Sequence, residues 1–585
     1  MSDNLRSHAR LIFKTKKGTE IFSLSTENSL NSQIMSVSTK KDLAASAGNF
    51  KIVLNPRTAK DLISKGVSLV SDLLEPYDLV QIQFKTGEEG YKTEMIGVVS
   101  RASISLSVDP RTGAPTRNII VTGYDLGKII QDFHIYFNWY ITANSAHQQQ
   151  NRQIGGGKTY FAELNGLLKN KTAKQFIQTM LSYFFKESGN LSGGPVYPVN
   201  LGVDNPNNTS NISNYIDFLS GISSTFQDHT IDNPYILLDL QGGSDNSLWD
   251  LVRAYSDKPY HETFVDLRRV NTHNTATNVN TIKAAEVTHV ISPPRVSTPL
   301  SKIDIDNPKF LTAYSFNQPY VFYMRTTPFS KGNWTSLNYH TFDLSEVTHQ
   351  DTSTDSDNIY NYFEVISQIS TGLSQDQQLP FIYTNSGAKV PIFDIHSISK
   401  FGFRKFPMNL TKYVQFVFGN NLEPLKKQAY LMRELFRWYC YGEDLESGVI
   451  VLKGRVGIGY NGITIGSKLI EQSSDRPTGK EYYIESLSQD FEFGVGLKTT
   501  IGVTRGTVYY GPEGRFAKIA KLEAEYGLSG EFYETIIDDG NSQSPLLNTS
   551  DPVYKKTAPI VPGDAPAVLQ DPAGNPYYSG NGLAQ

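Results

Sequence analysis

The sequence predicts an α+β chain that is mainly β, with two strand-rich regions, an α/β insert between them and an extended C-terminal tail. Three observations carry this. Short runs that alternate between apolar and polar residues gather near both ends of residues 1–510. That period of two belongs to strands with one buried face. Helical patterns fall in and around the insert, and the chain after Ser542 is punctuated by proline with little to bury. At 585 residues the chain is too long for one core. The divisions drawn from the pattern are 1–130, 131–345, 346–510 and 511–585.

The first region opens with a strand at Ala9–Lys14, and a second at Gly48–Asn55 is stopped by Pro56. Asp61–Leu74 reads as helical or irregular. In Tyr77–Phe84, Val80, Ile82 and Phe84 share one face while Gln81 and Gln83 share the other. A turn at Gly87–Gly90 leads to a strand at Met95–Ser100, and Asn118–Gly127 closes the set. Five or six short strands joined by turns argue for a barrel or a sandwich.

The insert begins with a helix at Ala173–Phe185, where Thr172 is the cap and Phe176, Ile177, Met180, Leu181 and Phe184 form one stripe. Polar loops at Ala146–Arg152 and Asp204–Asn211 flank it. A helix follows at Ser247–Tyr255, then a strand-like run at Pro259–Arg268 and the segment Tyr320–Phe329. The last β region has a polar Asp/Ser/Thr lead-in and an aromatic-rich helix at Pro424–Tyr441. Its strands are expected at Val449–Gly454, Gly462–Gly466, Tyr482–Phe491 and Thr499–Arg505, the last two joined by a hairpin at Glu492–Gly496. In the third of these, Tyr483, Glu485 and Leu487 are expected on one face, with Tyr482, Ile484 and Ser486 opposite. These strands read as a closed or half-closed barrel that serves as a surface. A helix at Arg515–Tyr526 stops at Gly527. The tail, spaced by Pro559, Pro562, Pro566, Pro572 and Pro576, is expected to dock extended along a neighbouring protein.

Composition excludes several classes. A net charge of −4 provides no basic stripe for wrapping nucleic acid. One cysteine, Cys440, rules out an intramolecular disulfide framework and a multi-cysteine zinc site. The start of the chain, Met1–His8, is polar and lacks the apolar core of a signal peptide, and no apolar run reaches membrane-spanning length. The expectation is folding in a cytoplasm and no stable membrane insertion. Gly155–Thr159 invites a phosphate-loop reading, but Arg152 stands where the motif needs glycine and the preceding segment is not a strand. A flexible loop is the default there. His261-Glu262 lies in a strand-like run without metal-ligand spacing, and Asp355–Asn358 lacks the glycine and distal glutamate of a calcium loop. The Asn-x-Ser/Thr sites at Asn207, Asn208 and Asn211 mean little without a secretory route. No catalytic residue, cofactor or metal ligand is assigned.

Several segments, in order, carry a resemblance. Asn49–Leu54, Leu73–Ile82, Gly97–Val99 and Val121–Ile129 are similar to the first barrel of the baseplate hub proteins of contractile phage tails and related injection particles. That family shares tandem barrels with the VgrG spike proteins. Trp249–Asp266 and Met324–Phe329 resemble the middle of such hubs. Ile398–Arg404 resembles an I-x-x-Y-G-x-R segment, with Phe401 in place of the tyrosine. Tyr482–Phe491 and Thr499–Arg505 resemble the closing pair of the second barrel, with Ser488–Phe491 lacking the histidine often found there. The likeness covers most of residues 10–510, and the tail after 511 has no counterpart.

The resemblance implies two tube-like β-barrel domains, at 1–130 and 346–510, and a homotrimer forming a pseudo-sixfold ring. That ring would join a hexameric tail tube or distal tail protein to a trimeric central spike. It would contact tape measure and wedge subunits and pass DNA in transit. It implies a virion baseplate location and a structural role without catalysis. Aromatics in Phe436–Tyr441 are candidates for interface anchors or for core. The alternatives are a tail-associated peptidoglycan hydrolase, for which residues 511–585 are too short, and a tail-tip receptor- or glycan-binding protein.

Overall fold

In the computed structural model the described residues are 6–14, 21–26, 34–55, 74–87, 91–108, 115–132, 216–217, 247–255, 259–267, 320–329, 333–334, 337–364, 391–407, 423–454, 463–472, 479–508 and 515–528. The expectations for Asp61–Leu73, Ala146–Arg152, Gly155–Thr159, Ala173–Phe185, Asp204–Asn211 and the tail from Ser542 lie outside them. The described chain is mainly β. The first region holds β1 (Ser7–Lys14), β2 (Ile21–Ser25), β3 (Ile34–Asp42), β4 (Asn49–Leu54), β5 (Leu79–Thr86), β6 (Lys92–Val108) and β7 (Pro115–Asp125), followed by α1 (Gly127–Asp132). The insert supplies β8 (Ile216–Asp217), α2 (Leu248–Tyr255), β9 (His261–Leu267) and β10 (Tyr320–Thr326). Then come β11 (Tyr339–Asp343), β12 (Val347–Thr354), β13 (Tyr362–Phe363), β14 (Ile392–Phe393), α3 (Ile395–Phe401) and α4 (Glu423–Tyr439). The chain continues with β15 (Glu446–Lys453), β16 (Lys468–Gln472), β17 (Lys480–Glu492), β18 (Gly496–Val508) and α5 (Arg515–Tyr526).

Thirteen strands form one sheet, in the order β12-β15-β18-β17-β3-β4-β7-β6-β5-β1-β2, with β16 on β17 and β11 on β16. Among the described residues its pairing does not close into a barrel; β12 and β2 end the main path, and β11 ends the branch through β16. Inside it one five-strand path occurs twice. The first is β3-β4-β7-β6-β5 and the second β12-β15-β18-β17-β16, antiparallel throughout. Two of the irregularities coincide as well. β3 bulges on β4 at Met35, and β12 on β15 at Thr348. β6 bulges on β7 at Ser100, and β17 on β18 at Glu485.

The turns match too. Tyr77 precedes β5 with φ +70°, and Gly466 precedes β16 with φ +69°. Their N–H groups donate to the carbonyls of Val99 at 2.7 Å and Ile484 at 2.8 Å. A left-handed backbone is easy for glycine and strained for tyrosine, so the turn itself is what both copies require. Asp42 ends β3 and Asp355 directly follows β12, and each accepts from the backbone N–H two residues on, at 2.7 and 2.9 Å.

The halves meet where β17 changes neighbour. It pairs with β16 at Glu481–Tyr483 and with β3 from Ser486 to Glu492. Phe491 and Leu497, at the far end of the β17–β18 hairpin, lie in the first region's core with Leu11, Phe50, Ile82 and Val121. Tyr482, Ile484 and Leu487 lie in the second core with Ile450 and Ile501. Tyr483 instead joins an aromatic core with Trp334, Phe436 and Trp438, under α4 and α5. The expected pairing of Leu487 with Tyr483 therefore fails. The bulge at Glu485 adds one residue and turns Leu487 to the Ile484 side.

Three further segments differ from expectation. Of the strand expected at Gly462–Gly466, the described residues 463–466 form a turn leading into β16, although Ile463 and Ile465 are buried. β6 continues past Ser100 to Val108, and the polar lead-in at 347–354 is the strand β12. Gln81 and Gln83, opposite the apolar face of β5, are buried; Gln83 accepts from Arg10 Nε at 2.7 Å and both amides donate to Thr93 Oγ1. Ser247 caps α2 by accepting from the Asp250 N–H at 3.1 Å.

Candidate assembly interface

Two buried ionic clusters fix the insert against the sheet. Lys41 on β3 is 2 % exposed and donates to Asp266 on β9 at 2.6 Å and to the Glu94 carbonyl on β6 at 2.9 Å. Its ammonium also lies 3.4 Å from the Glu94 carboxylate. Arg325 on β10 donates to Glu262 on β9 at 2.9 Å and to the Tyr483 hydroxyl at 3.1 Å, and it also reaches the Gly466 carbonyl. Tyr483 in turn donates to Glu262. Burial, with the Glu262 charge beside it, drives the Tyr483 hydroxyl well above its usual range, so it stays a neutral donor. His261-Glu262 is thus part of a packing seam: Glu262 is held by Arg325 and Tyr483, and His261 is buried in β9.

A third cluster ties α5 to α4. Glu523 accepts from Arg433 Nε at 2.9 Å and Arg437 Nε at 2.6 Å, and Arg437 Nη1 donates to Glu434 at 2.6 Å. Burial alone would raise Glu523, but Arg437 and Arg433 carry it below the usual carboxylate range; Glu434, where burial dominates, is raised. The C-terminal carbonyls of α4 find partners in two other arginines. Arg505 donates to the Trp438 carbonyl at 2.7 Å, and Arg515 to those of Arg437 at 3.0 Å and Trp438 at 2.9 Å. Phe436, Trp438 and Cys440 are core, not surface anchors, and burial pushes the Cys440 thiol up to about 12.

A pocket of about 380 Å³ opens beside this seam, lined by Asp42, His261, Glu262, Phe406, Trp438 and Glu485 among others. Its carboxylates are committed: Glu262 to Arg325, Asp42 to the Ala44 N–H, and Glu485 to the Thr504 hydroxyl. Among the described residues no three His, Cys, Asp or Glu side chains come together in a way that could hold a metal. Asp355 holds its own turn through the Asp357 N–H. The Ile398–Arg404 segment is organised by buried Asn361, which accepts from the Arg404 N–H at 2.7 Å and donates to the Gly402 carbonyl at 2.7 Å.

No protein-family model matches the chain, and no curated protein matches it. Solved structures similar to it include a tail protein from Neisseria meningitidis MC58, 9% identical, over 86% of this chain and 96% of that one, with a TM-score of 0.38. Another is the 43 kDa tail protein of prophage MuSo2 from Shewanella oneidensis, 11% identical over 85% and 98%, with a TM-score of 0.39. A third is the E. coli c3393 protein, a component of the type VI secretion system, 8% identical over 82% and 75%, with a TM-score of 0.33. Each TM-score is below 0.5, so these likenesses carry nothing about the role of this chain.

Among the described residues, several large apolar side chains are exposed, some of them at sheet edges. On β6, Ile104 is 41% and Leu106 77% exposed. In the β17–β18 turn Val495 is 79% exposed, close in sequence to Phe493, whose N–H donates to the Met35 carbonyl. Ile395 and Phe403 stand out from α3 and the segment after it. The alternation of Ile104 and Leu106 with Ser103, Ser105 and Ser107 is present in the sequence, beyond the strand expected at Met95–Ser100.

Proposed function

We propose that the chain is a structural baseplate hub of a phage tail of the contractile type, a homotrimer whose doubled strand path makes a pseudo-sixfold ring. The observation that carries this is the five-strand path repeated within one chain and fused edge to edge through β3 and β17. Two similar halves in each of three chains give six similar positions around an axis, which fits a hexameric tube on one side and a trimeric spike on the other. In this reading each half, residues 1–130 and 346–510, curves into a tube-like barrel, and the insert 131–345 packs outside. Strands offer one face to the core and the other to a lumen or neighbour, so alternate residues of the same strands can hold the ring and line a channel. The hub contacts the spike, the tube or distal tail protein, the tape measure and wedge subunits; DNA only passes through. It catalyses nothing and is assembled in the host cytoplasm into the virion tail.

The test is native mass by light scattering after size exclusion, with and without the candidate spike protein. The hub predicts a trimer, or a monomer that becomes a 3:3 complex with spike. A monomer indifferent to spike but retained on cell walls would overturn it in favour of a hydrolase or receptor-binding protein.

A further inference from the structure

Beyond Val98, where β5 ends its pairing, residues 100–108 of β6 have β7 on one edge and no described strand on the other. β17, the matching strand in the second half, has that edge occupied by β3 from Ser486 to Glu492. Matching the bulges at Ser100 and Glu485 sets Ala102, Ile104 and Leu106 against Leu487, Gln489 and Phe491. The latter three are 2%, 0% and 2% exposed, whereas Ile104 and Leu106 are 41% and 77% exposed. The apolar residues left open on β6 are therefore the counterparts of those that β17 buries at the junction. The counterpart of β3 is β12, the strand at the end of the sheet, with β15 as its one described strand partner.

We infer that β6 of one copy pairs antiparallel with β12 of a second copy, repeating between chains the β17–β3 contact made within each. This rests on the hub reading and names its subunit interface. The register follows from the matched bulges: Leu106 opposite Gln350, Ser105 opposite Asp351, Ser103 opposite Ser353, and Arg101 opposite Asp355. Side-chain chemistry agrees with that register. Within the chain, Ser38 Oγ donates to Asp490 Oδ1 at 2.5 Å across the junction. Between chains the same pair recurs with the strands exchanged, as Ser105 and Asp351. Arg101 and Asp355, both exposed, face each other with opposite charge. The two edges are different surfaces, so the contact is head-to-tail, and a closed ring leaves neither edge free to template further growth.

The test uses the full chain, alone and with the candidate spike, under oxidising conditions. Ser103→Cys combined with Ser353→Cys is expected to give covalent multimers up to the trimer on non-reducing gels; the native Cys440 is buried and contributes little background. Ser103→Cys with His349→Cys, four residues out of register and so about 13 Å away, should give at least tenfold less. Leu106→Lys, on a side chain already exposed in the single chain, should keep the monomer's circular dichroism while raising the dissociation concentration of the trimer at least tenfold. Trimers without the in-register cross-link, equal yield from both pairs, or unchanged assembly of Leu106→Lys would overturn this interface and leave the hub standing. A chain that is monomeric both alone and with spike would overturn the hub and the interface together.

Discussion

The segment Val121–Leu126 shows how single residues set the first core. The ring of Phe50 lies between Gly97 and Gly123, and a Cβ on Gly123 would stand 2.1 Å from the Val98 carbonyl and 2.4 Å from that ring. Gly123→Ala must push the ring or split β6 from β7, and is expected to destabilise by about 2–4 kcal/mol, read as a lowered midpoint in chemical denaturation. Two residues on, Asp125 accepts from the N–H groups of Gly48 and Gly127, both at 2.9 Å, clamping the β3–β4 turn to the start of α1. Burial pushes its carboxyl from 3.8 up to about 7, against the pull of the Gly48 N–H and Lys41. The folded chain therefore keeps a proton that the unfolded chain releases. Its contribution to stability is fully present below about pH 4, falls as pH rises toward 7, and is level above, with a span of at most about 4 kcal/mol. Asp125→Asn should flatten that part of the stability-versus-pH curve; an unchanged slope would show that the group does not titrate in this window. The glycine and aspartate were legible as a motif. Their reason was not, because the close approach of Phe50 and the burial of Asp125 arise from strands far apart in sequence.

Among the elements, the β17–β18 hairpin was the most readable, since its alternation is long and its turn carries glycines. The bulge at Glu485 was not readable, because nothing local in the sequence marks an inserted residue that reverses the facing of the residues after it. β12 escaped for a different reason: a strand exposed on both faces, with partners on one edge, has no apolar period to detect. β16 was displaced because Ile463 and Ile465 are buried in the turn before it, so burial without pairing imitated a strand. The insert's attachment was invisible, resting on Lys41 meeting Asp266 and Glu94 across sequence separations of 225 and 53 residues. Lys41→Met removes the cation that faces two buried carboxylates. It is expected to destabilise by about 3–5 kcal/mol, measured by denaturant titration. A loss below about 1 kcal/mol would mean that water reaches the site and screens it.

For the whole molecule, the decisive feature is that residues from beyond position 480 complete a core begun before position 100. Phe491 and Leu497 sit among Leu11, Phe50 and Ile82, and the Phe491 ring lies 6.3 Å from that of Phe84. The same hairpin carries Ile484 and Ile501 into the second core and Tyr483 into the aromatic one. A hairpin that fills three cores cannot leave one of them without exposing the others, so the described parts should unfold together although the chain exceeds the size of one domain. Phe491→Ala should then lower the stability of both halves, by about 3–5 kcal/mol. Differential scanning calorimetry at fixed protein concentration, held constant because assembly itself shifts the midpoint, reads this directly. One transition that moves as a whole in Phe491→Ala is the expected result. Two transitions, of which the substitution moves one, would mean that each half is stable without the shared hairpin and that β17 only bridges them.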